Sequence, residues 1–244
     1  MVKKLRSLLR ILRFYFFYKA KPRYLNPYFW LRIFYRYYDE YRFSKINNGE
    51  IYRLTQKLVE TSGSKGCSYS DYLNLYSLMK KHKPKDPIEF GSGISSCVIA
   101  YALKEIDHSG GEKGCLTTME ESDFYYKDFL KIIPEDLSNY INPILSSRKT
   151  KLFDGYFGCF YQSIPEGKYD FAYIDGPHTT FEDEEKAFDA DILNLIQSDS
   201  LKPNSTIVLD QRVKTLEVLN KISNFIFLKY KPYKSHSVGK FIKE

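Results

Sequence analysis

The stretch Asp86 to Tyr101, DPIEFGSGISSCVIAY, constrains this chain more than any other. Pro87 to Phe90 reads as a short buried strand. Gly91 and Gly93 form a turn, with Glu89 two residues before its first glycine, and a helix opens at Ser95 or Ser96 into Val98, Ile99 and Ala100. The glycines let the backbone approach a ligand closely, and the first amides and dipole of the helix face that ligand. Such a unit belongs in a sheet of alternating strands and helices, whose other strands would end on the same edge.

With 244 residues and 43% hydrophobic content, the chain can bury one substantial core and carry an appendage. Cys67, Cys97, Cys115 and Cys159 are widely spaced and make no paired ligand pattern. They read as reduced core residues of a cytoplasmic protein. The net charge of +7 is unevenly distributed: residues 1–45 hold 12 Lys or Arg against Asp39 and Glu40, a net of +10, which leaves 25 − 28 = −3 for the rest.

The basic segment opens MVKKLRSLLRILRFYFFYKAKPRYL. Lys3, Arg6, Arg10 and Arg13 recur at helical spacing beside Leu5, Leu8, Leu9, Leu12 and Phe16, which predicts a helix with a cationic and an apolar face. Arginines interrupt any signal-peptide core, and no apolar run approaches the roughly 20 residues that span a bilayer. With the aromatic and basic block Tyr28 to Tyr41, the segment is expected to lie on an anionic membrane, peripheral on the inner face. The alternative is packing on the main domain or on a second copy in a homo-oligomer. Nucleic acid is disfavoured, because no recognisable binding module accompanies the arginines and aromatics. Two lead-in helices follow over 46–85. Asn48 is read as the cap of the first (Ile51, Leu54, Leu58, Val59) and Ser70 as the cap of the second (Tyr72, Leu75, Tyr76, Met79), which Pro84 ends.

Beyond the opening unit, a strand over Cys115 to Met119 ends on Glu120 and Glu121. A carboxylate there can accept from both hydroxyls of a ribose, or it can be an acid favoured at a helix start. A helix with Tyr125, Tyr126 and Phe129 is expected next, then a strand near Ile144 and an aromatic loop from Phe153 to Tyr161. The strand Phe171 to Ile174 delivers Asp175, and Gly176-Pro177 turns the chain. An acidic helix, Phe181 to Gln197, leads to the strand Thr206 to Leu209, which ends on Asp210, Gln211 and Arg212. After a helix over Val213 to Ser223, Phe225 to Tyr230 and Val238 to Ile242 have only a short connection and must pair antiparallel. Glu89, Glu120, Asp175 and Asp210 thus sit at strand ends on one edge. A row of carboxylates disfavours a phosphate-rich ligand and suits a cation bearing a diol.

The passages EFGSGISS, TTMEES, YDFAYIDGPH and STIVLDQR, in this order, resemble the motifs of class I S-adenosylmethionine-dependent methyltransferases, among them small-molecule and glycan O-methyltransferases. The resemblance covers roughly residues 70–244. It implies an α/β, Rossmann-like fold: a mostly parallel seven-stranded sheet with a terminal antiparallel hairpin and helices on both faces, here with the basic helical extension added. The organisation is then an extension over 1–45, a helical lead-in over 46–85 and the methyltransferase domain over 86–244. By the resemblance, Glu89, Gly91 and Gly93, with Ser92 and Ser95, would surround the methionine part of S-adenosylmethionine. Glu120 would hold the ribose, and Asp175 would sit beside the transferred methyl. Some members bind a divalent cation with acids ending the fourth and fifth strands, which Asp175, Asp210 and Gln211 match; oxygen ligands suit Mg²⁺. Asp210 and Gln211 as caps of the following helix are the structural alternative. His178, on the same edge, is the candidate general base, because imidazoles titrate near working pH; a loop histidine bonded to backbone is the alternative. The expected activity is O-methylation of a glycan, lipid-linked sugar or other small molecule near a membrane. An NAD or nucleotide-sugar oxidoreductase, or a non-catalytic binding module on the same fold, are the competing readings.

Overall fold

The computed structural model describes residues 27–63, 66–179, 187–210, 212–222, 226–230 and 236–241. The helix expected at the amino terminus, through residue 26, and Gln211 lie outside the described residues.

The central sheet has seven strands: β1 (Pro87–Phe90), β2 (Leu116–Glu120), β3 (Ile141–Leu145), β6 (Tyr169–Ile174), β8 (Leu201–Asp210), β9 (Ile226–Tyr230) and β10 (His236–Phe241). They lie in the order β3-β2-β1-β6-β8-β10-β9. The first five in that order run parallel, while β10 pairs antiparallel with both β8 and β9. This is the topology the resemblance implied, including the terminal hairpin.

Register explains the edge. Phe90 pairs with Met119 and with Ile174, and Ile174 with Leu209, so the next residues, Gly91, Glu120, Asp175 and Asp210, form one row. Side chains alternate along strands, so one face carries Phe171, Tyr173 and Val208 into the core shared with the amino-terminal helices. The opposite face carries Ile88, Phe90, Met119, Ile174 and Leu209 into a second core. Glu89 belongs to the first face and is one step inside the row, which corrects the expectation that it stands at the edge.

The first face is covered by α4 (Ile94–His108) and the lead-in helices α2 (Glu50–Thr61) and α3 (Tyr69–His82). Their starts differ from the sequence reading. Asn47 and Asn48 take left-handed conformations, φ 47° and 54°, which short polar side chains tolerate, and Gly49 rather than Asn48 caps α2. Ser68 rather than Ser70 caps α3: Asp71 accepts from the Ser68 amide at 3.1 Å and from its hydroxyl at 2.5 Å. This reciprocal pairing moves the helix start earlier and leaves Ser70 buried. Helix α4 opens at Ile94, with Gly93 in the cap position.

Helix α1 (Pro27–Phe43) splits the aromatic block in two. At its carboxyl end Phe43 is fully buried against the rings of Tyr52, Tyr69 and Tyr72, and Glu40 accepts from the Tyr52 hydroxyl at 3.0 Å. Trp30, Phe34, Tyr37 and Tyr41 remain exposed.

Two regions depart from the expected layout. The segment read as an aromatic loop is a hairpin of β4 (Arg148–Phe153) and β5 (Tyr156–Tyr161), joined by Asp154-Gly155 at φ 47° and 81°. Asp-Gly between two extended runs is the signal for such a turn. The helix expected from Phe181 is, within the described residues, only α6 (Asp191–Gln197), preceded by β7 (Phe188–Asp189), which pairs parallel with β5. Burial of Phe188 and two carboxylate anchors, described below, outweigh helical periodicity there. Helix α7 (Val213–Ile222) completes the second layer.

Candidate active site

Glu89 is fully buried under the glycine turn. It accepts from the Ser95 hydroxyl at 2.6 Å and the Ser96 hydroxyl at 2.5 Å, with Thr118 Oγ1 at 3.1 Å. Ser96 Oγ also accepts from the Gly93 amide at 3.1 Å. Burial pushes the Glu89 carboxyl up to about 8, against the pull of the three hydroxyls. Ser95 is thus turned inward to Glu89. The acid holds the turn from beneath rather than facing an open space.

Above it, Gly91 has φ +103°, and a Cβ there would stand 3.1 Å from the Asp175 carbonyl carbon and the Gly176 nitrogen. The β1 and β6 loops therefore meet backbone to backbone, an approach that only glycine allows. A Cβ on Gly93 would meet nothing within 4 Å, so the turn leaves room above the α4 start. Glu120 ends β2 and accepts from the Ser92 hydroxyl at 2.8 Å and the Ser122 amide at 3.0 Å; burial raises its carboxyl. Ser122, not Glu120, caps α5 (Asp123–Ile132), so Glu120 stays on the sheet edge beside Ser92. Glu120, Ser92 and the space at Gly93 fit a ligand with a diol and a positively charged centre.

Beyond Gly91 the row changes character. Asp175 lies 3.6 Å from the Arg212 guanidinium and 3.6 Å from Cys67 Sγ. Arg212 also donates to the Asp175 carbonyl, to the Pro177 carbonyl at 3.1 Å and to the buried Asp189 carboxylate at 3.1 Å. Asp189 in turn accepts from Thr215 Oγ1 at 2.5 Å. Burial pushes Asp189 up to about 6, opposed by Arg212, and raises Asp210 as well, reinforced by the charge of Asp175. The Cys67 thiol is likewise raised, by burial and by both aspartates. Asp210 is 8% exposed, and its Oδ1 is buried without a hydrogen-bond partner. An orphaned buried carboxylate oxygen beside a second carboxylate fits a cation, so Asp175 and Asp210 could hold one.

His178 follows the cis Gly176-Pro177 bond and is exposed. Its amide donates to Glu121 at 2.9 Å, and its carbonyl accepts from Arg148 on β4. Glu121 also accepts from the Tyr161 hydroxyl at 3.1 Å. The hairpin that sequence reasoning took for a loop therefore fixes the backbone that carries His178. Cys67, Arg212, Thr118, Glu121 and Asp189 were not singled out from sequence. Their partners lie far away along the chain, 108 residues for Cys67 and Asp175, and only the Ser68-x-x-Asp71 capping pattern hinted that the Cys67 segment is tightly held. A cleft of about 470 Å³ lined by Asn47, Glu50, Lys80, Tyr101 and Lys104 lies toward the carboxyl end of α4, away from this row.

The sequence model of the methyltransferase-domain family matches residues 88–211, just over half of the chain. Comparison with curated proteins by sequence finds no match. Among solved structures, the chain resembles an O-methyltransferase from Bacillus cereus in complex with S-adenosylhomocysteine (TM-score 0.54, 11% identity, 84% of this chain and 96% of that one). It also resembles a methyltransferase from Podospora anserina bound to S-adenosylhomocysteine (0.55, 13%, 80% and 88%). A third is an O-methyltransferase of tomaymycin synthesis from Streptomyces achromogenes in complex with S-adenosylmethionine (0.52, 13%, 84% and 96%). The α/β fold agrees with these matches, and the chain belongs to the methyltransferase-domain family, built on the class I S-adenosylmethionine-dependent fold.

Proposed function

We propose that this chain transfers the methyl group of S-adenosylmethionine to a hydroxyl oxygen of a glycan, lipid-linked sugar or other small molecule held close to an anionic membrane. The observation that carries the reading is the row Gly91, Glu120, Asp175 and Asp210, which sets a diol-binding acid at one end and a pair of acids at the other. The likeness to solved O-methyltransferases supports oxygen as the acceptor. S-adenosylmethionine supplies an electrophilic methyl on a sulfonium. Glu120 and Ser92 would hold its ribose, while Gly91 and Gly93 would admit its methionine end.

The chain's own work is to align the acceptor, take its proton and exclude water. His178 is the exposed base candidate on a loop clamped by Glu121 and Arg148. A divalent cation held by Asp175 and Asp210 would lower the pKa of an acceptor hydroxyl, in which case His178 supports rather than performs the deprotonation. Membrane proximity is supported by the +10 net charge of residues 1–45 and by Trp30, Phe34, Tyr37 and Tyr41 exposed along α1. No helix of the described residues is long and apolar enough to cross a membrane; the attachment proposed is in-plane, through the aromatic and basic residues just named.

Calorimetry with S-adenosylhomocysteine and with NAD tests the first step: binding of the former alone is expected, and binding of NAD alone would overturn the reading. With labelled S-adenosylmethionine and glycolipid extracts, label is expected in a base-stable ether, and His178→Ala lowers turnover far more than cofactor affinity. Sedimentation with anionic vesicles should fall on replacing Trp30 and Phe34 by serine, with S-adenosylhomocysteine affinity unchanged.

A further inference from the structure

We propose that Cys67, Asp175 and Asp210 form a three-ligand divalent-cation site, and that its sulfur selects a thiophilic cation such as Zn²⁺ over Mg²⁺. The proposal rests on the methyl-transfer reading only for its consequence, not for its geometry. Cys67 Sγ and one carboxylate oxygen from each aspartate all lie within 4.8 Å of one another. For a tetrahedral Zn²⁺ with bonds of about 2.3 Å to sulfur and 2.1 Å to oxygen, two ligand atoms stand about 3.6 Å apart. Cys67 Sγ and Asp175 Oδ2 are 3.6 Å apart. A thiol hydrogen bond has a similar length, so this distance alone does not decide between the two.

Three further observations favour a cation. Asp210 Oδ1 is buried with no hydrogen-bond partner, and its carboxylate lies in the same cluster. Asp71, Asp175 and Asp210 lie close together, and the Arg212 guanidinium beside them forms its ion pairs with Asp175 and Asp189 and leaves Asp210 aside. Finally, Cys67 and Asp175 are only partly buried while Asp210 is buried. Three protein ligands with one open side is the arrangement of catalytic rather than structural zinc, the open position being left for water or an acceptor oxygen. Mg²⁺ prefers oxygen ligands in an octahedron and gains little from a thiol.

The segment that supplies the sulfur is held in place. The Cys67 amide donates to the Tyr72 hydroxyl at 2.9 Å, and the next residue, Ser68, is locked to Asp71. Cys67 lies outside residues 88–211, so this ligand comes from the helical lead-in rather than from the matched domain.

The experiment uses the full chain, stripped with chelator and titrated with Co²⁺. A near-ultraviolet thiolate-to-cobalt charge-transfer band is expected, displaced by Zn²⁺ and insensitive to excess Mg²⁺. Cys67→Ser should abolish the band, and Cys67→Ser and Asp210→Asn should each weaken Zn²⁺ binding by at least about tenfold. S-adenosylhomocysteine calorimetry on both variants verifies that they fold. No band in the wild-type chain, or Zn²⁺ affinity unchanged in both variants, overturns the proposal. Cofactor binding without the band would leave the methyl-transfer reading standing, and the band without cofactor binding would do the reverse.

Discussion

Each half of the sheet edge holds two carboxylates, with Glu89 one step inside the row, and the two halves surround them with different chemistry. In the β1–β2 half, Glu89 and Glu120 are met by neutral donors: the hydroxyls of Ser92, Ser95, Ser96 and Thr118 and the amide of Ser122. In the β6–β8 half, Asp175 and Asp210 face a thiol, other acids and one shared guanidinium, and Asp210 Oδ1 is left without a partner. Acids at and just inside one sheet edge thus serve different ends. Glu89, buried and saturated with donors, fixes a turn, whereas the Asp175 and Asp210 pair, short of donors, has capacity left for a cation.

The comparison is broken most severely at Arg212. Arg212→Met leaves Asp175 and the buried Asp189 without their cation. Losing one partner of a buried pair costs roughly 3–5 kcal/mol, and the lower end applies because 21% of the Arg212 side chain is in water. Chemical denaturation should show this loss, with partial recovery when a divalent cation is added. Gly91→Ala tests the seam between the halves. Its Cβ would press on the Asp175–Gly176 backbone from a strained φ, costing about 1–3 kcal/mol and weakening S-adenosylhomocysteine binding well before it unfolds the chain.

A pH-dependent effect distinguishes the saturated half. Glu89 has its folded value raised from 4.5 to about 8, so its contribution to stability is fully present below 4.5 and is lost as pH rises toward 8. Glu89→Gln, a neutral isostere, should flatten the fall in melting temperature between pH 5 and 8 while leaving S-adenosylhomocysteine affinity nearly unchanged. An unchanged slope in the variant would show that Glu89 is charged within the fold and that burial does not dominate there.

The legibility of the site follows the same division. Glu89, Gly91, Gly93 and Glu120 were readable because their meaning is local: an acid, a glycine turn and a helix start lie within a few residues of one another. Cys67 passed for a core thiol because nothing in its neighbourhood of sequence names a ligand; its partners are brought to it by the packing of α3 on the sheet. Likewise Phe188–Asp189 reads as part of a helix until Arg212 and Thr215 claim the carboxylate and β5 claims the backbone.

By itself the sequence determined the order of the strands of the central sheet and the residues at their ends, because period-two and helical patterns, glycines and caps act over a few residues. The tertiary structure decided which face each acid takes and what stands opposite it. Register across β1, β2, β6 and β8 turns four separate residues into one row, and a loop from the lead-in sets a sulfur beside its far end. Those choices depend on contacts between residues far apart in the chain, whose free energies appear only when the two cores close on the sheet.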